Sequence, residues 1–117
     1  MPAATYNIIA EQGATFSQTI LYTDASETPI DLTNYTAEMH VRTAVASAST
    51  IIELSTGDSS IILDGVNGTI ELAITATAMS DLAAGKYFYD LELYGENDLI
   101  VRLIEGRFTV KAEVTRQ

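Results

Sequence analysis

Apolar and polar residues alternate with a period of two through most of this chain. In Tyr35-Thr36-Ala37-Glu38-Met39-His40-Val41-Arg42 the odd positions are apolar or aromatic and the even ones polar, the spacing of a strand with one face buried and one wet. Lys86-Tyr87-Phe88-Tyr89-Asp90-Leu91-Glu92-Leu93-Tyr94 repeats it, with Tyr87, Tyr89, Leu91 and Leu93 on one side, and Thr69-Ile70-Glu71-Leu72-Ala73-Ile74-Thr75 is a third case. Another alternating run, from Phe16 to Tyr22, follows Glu11-Gln12-Gly13-Ala14-Thr15. A helical fold needs apolar residues three and four apart, so these segments exclude one.

Turn residues fall between the runs. Asn67-Gly68 tolerates positive φ and predicts a tight hairpin between residues 60–63 and 69–75. Gly95-Glu96-Asn97-Asp98 separates the Tyr87 run from residues 99–103, which predicts a second antiparallel hairpin. The loop over 24–29 is rich in Asp, Ser, Glu and Thr and ends on Pro29, which cannot donate to a central ladder. Leu99, Val101 and Leu103 share one parity, whereas Phe108 and Val110 share the other. A β-bulge near Gly106 would keep both sets inward, because one extra residue flips every later side chain. One stretch reads as helical, residues 77–84, with Gly85 as its C-terminal cap. Residues 45–50 are small and polar and read as a loop before a short strand over 51–54. About eight short strands with turns between them predict an all-β, antiparallel two-sheet sandwich of immunoglobulin-like or jelly-roll type. The short segment at Ile51 favours two sheets over a closed barrel.

Composition adds limits. The 117 residues make one domain, long enough to bury about two thirds of the unfolded surface. With 47% hydrophobic and 19% charged residues the chain is globular rather than disordered. The cysteine count of 0 excludes disulfides and thiolate metal sites. No apolar run approaches a membrane-spanning length, and Met1-Pro2-Ala3-Ala4-Thr5 has no basic start with a hydrophobic stretch behind it, so a soluble chain made in the cytosol is expected. A net charge of -10 disfavours nucleic acid and anionic membrane as partners. That charge is unevenly placed: Lys and Arg are absent before Arg42, whereas Arg102, Arg107, Lys111 and Arg116 crowd the C-terminal part. Either a charged last strand and tail are simply solvated, or the acidic surface of one copy meets the basic tail of another molecule.

Catalytic chemistry finds little to stand on. His40, the one histidine, lies in the polar phase of its strand, with no cysteine and no Gly-x-Ser-x-Gly turn to pair with it. Asp58 and Asp64 bracket a candidate strand, but the ligand-dense spacing of a calcium loop is missing, and turn carboxylates commonly serve the backbone instead. The glycines are dispersed one to a turn and form no phosphate cradle. No cofactor or metal is expected. Phe88 and Tyr94 must point outward if Tyr87 and Tyr89 are core, either as scattered surface aromatics or as part of a protein interface or stacking platform. With Arg107, Lys111 and Arg116 they are the candidate interface residues.

Gln12-Gly13-Ala14-Thr15-Phe16, followed by Pro29-Ile30-Asp31-Leu32-Thr33-Asn34-Tyr35-Thr36-Ala37-Glu38-Met39-His40-Val41-Arg42, resembles a family of small structural proteins of tailed bacteriophages. The likeness continues through Ile52-Glu53-Leu54-Ser55-Thr56, Gly68-Thr69-Ile70, 83–93, Leu103-Ile104-Glu105-Gly106-Arg107-Phe108-Thr109-Val110 and Val114-Thr115-Arg116, over nearly the whole chain. Asn34 stands where the family often has Gly, a mild departure because Asn also tolerates positive φ. Such proteins are similar to the N-terminal sandwich of phage baseplate upper proteins and to domains that head tail-fibre chains. The resemblance implies a non-enzymatic virion component, present in symmetric copies, that adapts other virion proteins at a tail, baseplate, neck or fibre attachment. It brings no active site. The competing expectations are a capsid decoration (cement) protein and a carbohydrate-binding module for host-surface recognition.

Overall fold

The computed structural model describes residues 4–43 and 51–112, and these form nine strands and one short helix. The strands are β1 (Ala4–Thr5), β2 (Ile8–Glu11), β3 (Phe16–Leu21), β4 (Thr36–Arg42), β5 (Ile52–Ser55), β6 (Ile61–Asp64), β7 (Thr69–Ile74), β8 (Gly85–Tyr94) and β9 (Ile100–Lys111), with α1 (Ala76–Ser80) between β7 and β8. The alternating runs of the sequence are β3, β4, β7 and β8, and the expected loop over 45–50 lies outside the described residues.

Two sheets result. The larger runs β1-β9-β8-β4-β5, with β2 also on β9, and the smaller runs β3-β7-β6. Putting the third, sixth and seventh strands on one sheet and the fourth, eighth and ninth on the other is the arrangement of an immunoglobulin-like sandwich. That order decides between the two predicted types. All pairings are antiparallel except at one edge, where β1 and β2 run parallel to β9. The last strand thereby gains a second neighbour that its sequence does not announce.

Inward alternation builds the core. Met39 and Val41 of β4, Leu91 and Leu93 of β8 and Phe108 of β9 meet Ile70 and Leu72 of β7, all of them fully buried. Each such side chain stabilises the fold by about 1.5–3 kcal/mol. Phe16 and Phe108 join the sheets edge to face, with ring centroids 5.6 Å apart and an interplanar angle of 66°, a favoured aromatic geometry.

Three local expectations change. The phase break lies at Leu103 rather than near Gly106: Leu91 pairs with Ile104 but Glu92 with Arg102, leaving Leu103 as the extra residue. Ile104 is already inward, so the flip must precede it. Gly106 answers a different need, because a Cβ there would overlap the Tyr6 carbonyl oxygen and lie 2.9 Å from Asn7 Oδ1. The helix is shorter than residues 77–84. Thr75 caps its start, Oγ1 accepting from Ala78 N at 3.2 Å, and Asp81 ends it. The Leu82 carbonyl instead accepts from Gln12 Nε2 at 2.9 Å, and Leu82 itself enters the core, so the helix cannot continue. Gly85 accordingly starts β8, at φ 153°, rather than capping the helix. The β6–β7 turn is also longer than two residues, spanning 65–68. Gly68, at φ 64°, lets the Tyr22 and Ile30 carbonyls approach to where a Cβ would meet each at 2.8 Å. Asn34 takes φ 69°, in the left-handed region that Asn tolerates.

Candidate interaction face

The outward face of the larger sheet carries every Lys and Arg among the described residues, together with His40 and several carboxylates. β4 pairs with β8 and β8 with β9, so side chains that alternate outward line up in rows across three strands. His40, Asp90 and Glu105 form one row, extended by Glu53 of β5; Arg42, Phe88 and Arg107 form the next; Glu38, Glu92 and Arg102 form a third. Neighbouring strands stand about 4.8 Å apart, so Arg42 and Arg107 flank Phe88 with backbones roughly 10 Å from each other.

Opposite charges in these rows meet. Arg102 Nε lies 3.4 Å from Asp90 Oδ2 and its Nη2 donates to Glu92 Oε2 at 3.2 Å. His40 Nε2 stands 3.6 Å from Glu38 Oε1 and 3.9 Å from Glu53 Oε1, and its Nδ1 is 3.2 Å from Arg42 Nη2. Tyr94 Oη donates to Glu92 Oε1 at 2.9 Å. Burial first, and then the hydrogen bond to Glu92, push the Tyr94 phenol up to about 12. Burial and the neighbouring Glu92 carboxylate raise the Asp90 carboxyl above its usual range, opposed by Arg102, His40 and Arg42.

Between β4, β8, β9 and the N-terminal segment this face sinks into an open cleft of about 700 Å³, lined by His40, Arg42, Phe88, Arg102, Arg107 and Asn7 among others. Asn7 Oδ1 accepts from Arg107 N at 3.0 Å and Tyr89 Oη donates to the Tyr6 carbonyl at 2.5 Å, which fixes the wall formed by the N-terminal segment. Burial raises the Tyr89 phenol well above its ordinary value. The Arg107 guanidinium makes no hydrogen bond or ion pair among the described residues.

Of the residues singled out from sequence, the structure brings Phe88 and Arg107 together as cross-strand partners in the cleft. Tyr94 is six residues along β8 from Phe88, about 20 Å, so the two do not make one aromatic platform. Lys111 lies at the far end of β9 opposite Glu11, and Arg116 lies outside the described residues. Arg42 and Arg102 were missed as members of the face. The outward phase they share with His40 and Asp90 was visible in sequence, but their alignment across strands was not. Asp58 and Asp64, at the two ends of β6, each serve their own turn: Asp58 accepts from Ser60 N at 2.9 Å, and Asp64 Oδ2 from Asn67 Nδ2 at 2.9 Å. Among the described residues no group of three or more His, Cys, Asp or Glu is placed to hold a metal ion.

No protein-family model matches the chain, and no curated protein matches it. Among solved structures, one described as "Structures of Clostridium thermocellum CbhA fibronectin(III)-like modules" matches over 96% of this chain and 92% of its own, at 12% identity and a TM-score of 0.42. The sandwich assignment rests on the strand order given above.

Proposed function

We propose that this chain is a non-enzymatic structural protein of a tailed-bacteriophage particle, an adaptor at the tail, baseplate, neck or fibre attachment that works through protein contacts. The observation that carries this reading is the order of motifs along the chain, from Gln12-Gly13 through Pro29-Ile30-Asp31-Leu32 to Leu103-Ile104-Glu105-Gly106. The surroundings of His40 support the non-enzymatic part: its ring sits among Glu38, Glu53 and Arg42, with no nucleophile paired to it among the described residues. A rigid sheet face with a half-buried aromatic and charged rows is suited to docking another protein.

Gold-labelled antibody against this chain, applied to purified particles of a phage that encodes it, tests the reading by electron microscopy. Label confined to the tail, neck or fibre base is the expected outcome. Label spread over the shell would make the chain a capsid decoration protein, and its absence from particles would end the virion reading.

A further inference from the structure

We propose that the cleft around Phe88 is one half of a head-to-tail contact between copies of this chain, and that the other half is the outward face of the small sheet. The charge distribution carries the argument. Every Lys and Arg among the described residues, namely Arg42, Lys86, Arg102, Arg107 and Lys111, lies outward on β4, β8 or β9 of the large sheet. The small sheet and its turns carry Asp24, Glu27, Asp58, Asp64 and Glu71 with no basic residue. One molecule therefore presents on one side a cleft in which Arg42, Arg102 and Arg107 outnumber Asp90 and Glu105, and on the other a surface whose charges among the described residues are all acidic. Its two sheets point these surfaces in opposite directions, so a single copy cannot satisfy itself.

Apolar groups sit at the centre of both surfaces. In the cleft, Phe88 is flanked across the strands by Arg42 and Arg107. On the small sheet, Ile62 is 52% exposed and pairs across the strand with Glu71, while Leu21 is 58% exposed and, through Thr69, shares a row with Asp64. An exposed Ile beside a carboxylate matches a half-buried Phe beside the Arg107 guanidinium, which has no partner among the described residues. That is the apolar centre with complementary charge that a specific contact uses. The two surfaces differ, so the contact is heterologous; repeated, it closes into a ring or extends as a filament. The inference concerns the purified chain and does not depend on the virion reading. A chain missing from particles and a chain that stays monomeric are separate outcomes.

Sedimentation velocity and native mass spectrometry of the purified chain across concentration and salt provide the test, with Arg107→Glu, Glu71→Arg and an equimolar mixture of the two. The wild type is expected to associate with rising concentration and to lose association as salt screens exposed charges. Each single variant should weaken association by at least about tenfold, since each sets like charges against each other across the contact. For Glu71→Arg this runs against the bulk effect, because reducing a net charge of -10 would otherwise favour association. The mixture should recover it, because each variant's altered surface then faces an opposite charge. Both substitutions fall on exposed strand positions, and thermal unfolding of each variant checks that the fold is retained. A wild type that stays monomeric at low salt overturns the proposal. So does association unchanged by either variant, or association lost in both variants but not recovered on mixing. A monomer that instead binds a poly-glutamate peptide or an acidic polysaccharide through Arg107 overturns it too, in favour of a different occupant.

Discussion

Tyr87 shows how much one side chain can fix. Its ring is buried with the core of β8, as its phase in the sequence required, but its hydroxyl donates to the Ala83 carbonyl at 2.6 Å. This bond, reaching back four residues, closes the corner between α1 and β8, the place where immunoglobulin-like sandwiches commonly set such a tyrosine. Tyr87→Phe keeps the packing and removes the bond, so a loss of about 1 kcal/mol in urea denaturation is expected. Asp58 acts at the same scale through charge. Hydrogen bonds from the Ser60 hydroxyl and amide hold its carboxyl below the usual carboxylate range. A depressed folded-state value means that its stabilisation is present above the unfolded value and is lost as the pH falls through the folded one. Asp58→Asn should therefore lower the melting temperature at neutral pH, and the difference from the wild type should close in a series of melts carried below the carboxylate range.

At the scale of elements, the N-terminal edge depends on what β9 lacks. β1 and β2 lie parallel against β9, and Tyr6 N donates to the Glu105 carbonyl at 2.9 Å. The chain comes so close there that only glycine fits at position 106. Gly106→Ala should force the edge outward and cost about 1–3 kcal/mol, the range for overpacking. Hydrogen exchange should show the loss of protection concentrated in β1 and β2 while β4 and β8 stay protected; uniform loss would mean that the edge is not a separate unit. The Phe88 cleft would open as well, since Asn7 forms part of its wall. The sequence held little trace of this element, since Ile8-Ile9-Ala10 is an apolar run rather than an alternation and four residues are too few to separate a strand from a loop.

For the molecule as a whole, cohesion between the sheets has no covalent help, since the sequence contains no cysteine. The Phe16–Phe108 pair stands at the join, with Phe108 fully buried. Phe108→Ala is expected to destabilise the fold by about 3–5 kcal/mol, a large share of the roughly 5–15 kcal/mol available to a domain of this kind. Equilibrium unfolding would show it as a lowered midpoint with an unchanged slope. The same two-sheet design separates the arginine-bearing cleft from the acidic small-sheet face and so gives the molecule two unlike sides.

Alternation is a local property of the chain, set by the pleat of a strand and by which side chains water rejects. For that reason the sequence alone determined that the protein is a β-sandwich, that β3, β4, β7 and β8 are strands, that Tyr87, Tyr89, Leu91 and Leu93 point inward and that Phe88 points out. Pairing is not local. The residues that meet in the row Arg42, Phe88 and Arg107 are far apart in the chain, and a one-residue slip in register would have turned any of them to the other face. Tertiary packing alone decided that row, the bulge at Leu103, the parallel N-terminal edge and the early stop of α1, because each depends on which distant backbone a strand or carbonyl finds beside it.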